Sequence, residues 1–285
     1  MNFKKLAATA AIASLAALSG GMAVAAPTLT NLDGSTSPFG GFDWASGSAA
    51  WTSGFSGAPG SNFNLNYVGW ATAVTNTSGT PMGGLLQFDN TADGIANSLG
   101  AQFSVPGKTG SYEYTVVASF TEKIVACVSA TECTFQVTGG TFDIYYDTAA
   151  NAKTVAGGAW TGFGDGTKIV SGTFFAGPAT LFNTLTGGQA DLQGVVTYTN
   201  AAYINPALVS TNVTSTLQLG SAVTSFSAPT SVDGNVVGAG QIVFQADANQ
   251  TFSSKVPEPG SLALVGLALT GVAALSRRRK SVKTA

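Results

Sequence analysis

An all-β, antiparallel architecture is predicted for this 285-residue chain by three features: runs of alternating aromatic and β-branched residues, glycine-rich punctuation between them, and no helical apolar stripe in the interior. The run Tyr112-Glu113-Tyr114-Thr115-Val116-Val117-Ala118-Ser119-Phe120 is dense in residues that suit a half-buried pleat. Thr134-Phe135-Gln136-Val137 and Thr141-Phe142-Asp143-Ile144-Tyr145-Tyr146 continue the pattern, and Gly139-Gly140 between them reads as a tight hairpin. Further strands are expected at 168–175, 193–203, 213–219 and 241–246. Asp165-Gly166, Gly187-Gly188, Asn205-Pro206 and Asp233-Gly234 supply the turns. Many short strands with Gly-rich turns favour an antiparallel β-sandwich, with a barrel as the second arrangement. No fixed period recurs, which argues against a solenoid or propeller.

Apolar segments at both ends frame this body. Met1-Asn2-Phe3-Lys4-Lys5 is a short basic region, 6–18 is apolar, and Ala23-Val24-Ala25 offers a small-residue cleavage site. Residues 1–25 therefore read as a secretory signal peptide with a helical core. At the other end the uncharged run 261–276 is followed by Arg277, Arg278, Arg279 and Lys280. As a helix it rises about 24 Å, close to a bilayer core, and the cations favour the cytoplasmic side. Pro257, Glu258 and Pro259 precede this transmembrane helix; two prolines hold the chain extended, as a protease requires and as a juxtamembrane spacer would also be. The chain thus divides into a signal peptide (1–25), a Gly/Ser/aromatic-rich arm or set of first strands (26–60), a β-sandwich body (61–254) and a C-terminal segment of Pro-Glu-Pro, apolar span and basic tail (255–285).

Charge narrows the partners. The whole chain carries 12 basic and 14 acidic residues. Cutting after residues 25 and 258 leaves five cations against all fourteen acids, a net charge near −9. Nucleic acid is excluded as a partner on that balance. Charged residues are only 9% of the chain, so the expected surface is largely hydroxyl and amide.

Histidine is absent throughout, which excludes Ser-His-Asp and Cys-His catalysis and histidine metal sites. Paired carboxylates remain: Asp143 with Asp147, or Glu113 with Glu122, as in a glycan hydrolase. Residues four apart on a strand lie about 13 Å from each other, too far for that chemistry unaided. Asp89-Asn90-Thr91-Ala92-Asp93-Gly94 imitates the start of a calcium loop, but Thr91 is a marginal ligand and Gly100 stands where a bidentate Glu is needed. The reading is non-enzymatic, with no cofactor and no metal. Cys127 and Cys133, the sole cysteines, bracket a short segment between strands, and an oxidising compartment closes such a pair into a disulfide. Trp44 and Trp51 lie among Gly and Ser residues that offer little core, which makes them the candidate glycan-stacking residues.

The combination of Pro257, Glu258, Pro259, the apolar span and Arg277–Arg279 resembles the PEP-CTERM sorting signal of exported Gram-negative bacterial proteins. That resemblance implies transient engagement of a membrane-embedded protease, an exosortase, and delivery of the body to the cell surface or matrix. The second half of the body adds Gly140-Thr141-Phe142-Asp143-Ile144-Tyr145-Tyr146-Asp147, Asn151-Ala152, Gly172-Thr173-Phe174, Gly234-Asn235-Val236 and Ala248-Asn249-Gln250. These segments resemble the flocculation-associated PEP-CTERM proteins; residues 27–100 do not match them. The likeness implies a secreted protein that aggregates cells together with exopolysaccharide. A dedicated carbohydrate-binding module is the alternative, and a carboxylate-dependent glycan hydrolase a more remote one.

Overall fold

Alternating side chains give each long strand one apolar face, and eight such faces meet in a common interior. The strands are β1 Gly41–Ser53, β2 Asn62–Thr75, β3 Glu113–Cys127, β4 Glu132–Asp147, β5 Thr167–Phe174, β6 Gly188–Thr199, β7 Asn212–Gly220 and β8 Val243–Ser253. The computed structural model describes residues 26–253 except 31–33, 35, 77–86, 90–101, 105–111, 130–131, 149–150, 153, 184–186, 221–225 and 239. Each strand pairs antiparallel with the next in sequence. The last, β8, returns to β1, with Thr251 opposite Gly41 and Val243 opposite Trp51. The sheet is therefore a closed eight-stranded up-and-down barrel.

The all-β antiparallel expectation holds, and of the two architectures the barrel forms rather than the sandwich. Closure follows from strands that curve without breaking. Irregular register occurs at residues 44–49 of β1, in β3 against β4, and in β5 against both neighbours, and such bulges bend and twist a strand. Gly139-Gly140 is no hairpin: β4 runs straight through it. A Cβ at Gly140 would sit 2.6 Å from the Ser119 carbonyl oxygen, so the missing side chain lets two strands approach. At Gly172 a Cβ would strike the Phe142 ring, so the glycine makes room for an interior aromatic.

The sequence segment 26–60 supplies β1 as an integral barrel strand. The compact unit containing the barrel spans Ala26–Ser254. The predicted signal helix and transmembrane helix lie outside the described residues, as does most of the Asp89–Gly94 segment.

Two buried clusters result. The larger fills the barrel and includes Phe42, Trp44, Tyr67, Phe120, Phe142, Phe174, Leu217 and Phe252. Burial of side chains this size stabilises by about 1.5–3 kcal/mol each before entropy is counted. The smaller lies on the outer wall, where Ala49, Trp51, Val68 and Trp70 meet Trp160, Phe163, Val232 and Val237 from two long connections. Those connections clasp each other through a parallel pairing of Ala159–Trp160 with Ser231–Val232. Asp233 secures the clasp, its Oδ1 accepting from the Gly162 and Phe163 amides at 2.8 and 3.3 Å.

The barrel ends differ. At one end short strands Thr28–Thr30, Thr36–Pro38 and Ile204–Asn205 form a small sheet. It brings fully buried Leu29, Phe39 and Ile204 onto the barrel core. At the opposite end the β3–β4 hairpin closes with the Cys127–Cys133 disulfide, whose Cα atoms are 4.0 Å apart. The two cysteines are directly opposed in the ladder, which brings the sulfurs within bonding reach without moving the backbone.

Candidate functional site

Polarity on the barrel is inside-apolar and outside-polar, the reverse of a membrane-spanning barrel. Its outer wall carries cross-strand ladders built mostly of uncharged donors and acceptors. Across β1, β2 and β3, Asn66 Nδ2 donates to Ser53 Oγ at 3.1 Å and Ser119 Oγ donates to Asn66 Oδ1 at 3.1 Å. One step along, Thr121 Oγ1 donates to Asn64 Oδ1 at 3.2 Å. On β7 and β8 the Thr214 and Thr251 hydroxyls lie 2.7 Å apart, and Thr216 Oγ1 donates to Asp191 at 3.0 Å on the neighbouring β6. Only one salt bridge is present among the described residues, Lys168 to Asp143 at 2.9 Å.

The Ser53–Asn66–Ser119 ladder floors a groove of about 430 Å³ between the barrel wall and the connection carrying Val232, Asp233 and Asn235. Gln241 reaches in from just before β8 and donates to Ser53 Oγ at 3.4 Å. Val236 stands at the rim, 76% exposed. The groove therefore combines fixed amides and hydroxyls with an apolar edge, the mixture that satisfies a polyhydroxylated ligand.

The two candidate tryptophans part company here. Trp44 is 2% exposed, inside the barrel and stacked on Phe42 with ring centroids 4.9 Å apart, so it presents no face to a sugar. Trp51 is 8% exposed and lines the groove, offering an edge. They stand seven positions apart on β1 with the irregular stretch at 44–49 between, where Ser48 Oγ donates to the Ala45 carbonyl at 2.6 Å. An odd spacing puts two residues on opposite faces of a strand, and the irregular stretch keeps that parity, with Trp44 inside and Trp51 outside.

The carboxylate pairs do not converge. Glu113 faces the outer connection and accepts from the Ala152 amide at 2.8 Å; burial pushes its carboxyl up to about 7 despite that bond. Glu122 points into the barrel. Asp143 is engaged with Lys168 on the outer wall. Glu122 is the residue sequence reasoning placed least well, although the even-numbered row Tyr114, Val116, Ala118, Phe120 carried the inward parity straight to it.

Pro257, Glu258, Pro259 and Arg277–Arg279 lie outside the described residues. Comparison with protein families identifies them directly: residues 255–280 match the PEP-CTERM protein-sorting motif. No curated protein and no solved structure matches the chain. The chain thus carries a C-terminal PEP-CTERM motif, which implies an exported protein sorted by an exosortase towards the cell surface.

Proposed function

We propose that the exported barrel is a non-catalytic surface or matrix protein that promotes cell aggregation by contacting exopolysaccharide. The observation carrying this reading is the outer groove, in which Asn66, Ser119, Ser53 and Gln241 form one uncharged hydrogen-bonding network beside Trp51. A neutral polysaccharide chain exchanges water for such groups at little electrostatic cost, and each contact is weak. Aggregation then comes from many copies acting on one polymer, where effective concentration converts weak binding into avidity. The sparse charge of the wall serves the same end, because it leaves hydroxyl and amide groups free of competing ion pairs.

Deleting the gene should disperse cell aggregates while polysaccharide synthesis continues; unchanged aggregation would refute the reading. At the molecular level, Asn66→Ala should weaken binding of purified exopolysaccharide about fivefold, as expected for one or two lost hydrogen bonds. Intact mass of protein recovered from the native host should show loss of both the signal peptide and the sorting segment. The dedicated carbohydrate-binding module shares the same groove, and separates from this reading by binding glycan without supporting aggregation.

A further inference from the structure

Inside the barrel, at the disulfide end, Glu122 lines a recess walled by Phe55, Phe63, Phe135, Leu219 and Phe244. Its side chain is 7% exposed and has no hydrogen-bond or ionic partner among the described residues. The other polar groups of the recess are already engaged. Thr52 Oγ1 accepts from the Ile242 amide at 3.0 Å, and Gln189 Nε2 donates to Asp191 at 3.2 Å. Beside Glu122 in the ladder stand Phe63 on β2 and Val137 on β4, and no other residue lining the recess is ionisable. A lone carboxyl enclosed by aromatic rings is costly to keep without a partner. The arrangement is independent of the outer groove, since it opens on the other side of the wall.

We propose that this recess binds the head of a slim primary alkylammonium, with the cation on the Glu122 carboxylate and the methylenes against Phe63, Phe135 and Phe244. Charge selects the head: one acid with no basic neighbour is complemented by a cation, and the surrounding ring faces attract it further. Width selects the shape: the enclosed space of about 30 Å³ is too small for a sugar ring and takes the ammonium head, leaving an unbranched stem to lie against the lining rings toward the opening. Burial holds the empty site's carboxyl near 7, so binding at mildly acid pH releases a proton from Glu122 to solvent while the amine keeps its own.

The test is calorimetric titration of the exported protein with n-butylamine, n-butanol and glucosamine. At pH 7.5 butylamine should bind at least tenfold tighter than butanol or glucosamine. Its affinity should fall about 100-fold between pH 8 and pH 5, as Glu122 protonates, and titration at pH 6 in buffers of different ionisation enthalpy should register close to one proton released. Glu122→Gln should lose at least tenfold in butylamine affinity, and Glu122→Leu should reverse the preference toward butanol. The proposal is overturned if butylamine fails to bind, if butanol or glucosamine binds equally well, or if the folded Gln and Leu variants bind butylamine like the wild type.

Discussion

The two ends of the barrel solve the same problem in opposite ways. At the capped end Tyr112, Tyr114, Tyr146 and Tyr203 form a continuous aromatic stack with neighbouring centroids 5.0–5.7 Å apart, next to Phe39 and Phe42 under the small sheet. At the disulfide end the phenylalanines Phe55, Phe63 and Phe135 also contact one another edge to face, at 5.1–6.0 Å, but they surround a carboxyl. One end is sealed by interlocked rings and a sheet of three short strands. The other is held by a covalent bridge and leaves space beside a charge-capable group. Eight strands give an interior that side chains just fill, so a small change in filling decides whether an end is plug or recess. Stability and binding capacity are thereby assigned to different ends of one core.

The contrast is broken most directly at the plug. Phe42 is 1% exposed and lies 5.2 Å from Phe39 and 5.2 Å from Tyr114, ring centroid to centroid. Phe42→Ala should cost about 3–5 kcal/mol in urea unfolding, because the interlocked rings cannot collapse into the void. A much smaller loss would mean that the capped end is loosely packed.

Acidity addresses the recess. Burial raises the Glu122 carboxyl from its ordinary 4.5 to about 7, so the folded protein favours the neutral acid. That contribution is fully present below about pH 4.5 and is lost as pH rises through 7, by about 3 kcal/mol. Wild-type stability should therefore fall across this window relative to Glu122→Gln, which stays neutral throughout. Urea midpoints at pH 5 and pH 8 measure the difference; parallel behaviour of the two proteins would place the carboxyl in water.

Removing the bridge tests the remaining support of that end. The cysteines are six apart in sequence, so the closed loop is short, and replacing both by Ser should cost about 2 kcal/mol. Hydrogen exchange should increase around the β3–β4 hairpin and remain unchanged at the capped end. The smallest effect is expected on the wall between the ends. Lys168 and Asp143 are 42% and 33% exposed, and Asp143→Asn should change stability by less than about 1 kcal/mol.

How much of this was legible in the sequence depends on how many faces of a strand are covered. Alternation revealed β3 through β7, where one face meets the core and the other meets water. It failed at β1, because the outer cluster buries Ala45, Ala49 and Trp51 while the interior buries Phe42, Trp44 and Ala50. A strand covered on both sides has no polar period, and its glycines and serines then imitate an arm. The second half of β2 is concealed for the same reason, with Val68 and Trp70 packed outward. At Gly139-Gly140 composition suggested a turn, whereas tertiary crowding against Ser119 and Phe120 explains Gly140. The disulfide was readable because both cysteines flank a true hairpin. The outer groove was not, since Asn66, Ser119 and Gln241 come from three distant segments that only closure brings together.

Closure also sets a timetable for the exported chain. The seam joins the first barrel strand to the last, and across it Gln245 contacts the Ser46 carbonyl from 199 residues away. A chain synthesised from its N-terminus presents β1 as an unsatisfied edge until nearly all of the body has been made. The strand that completes the cylinder ends at Ser253, immediately ahead of the segment recognised for sorting. The first strand is therefore the one longest open to edge-to-edge association with other copies, and only completion of the seam removes that hazard.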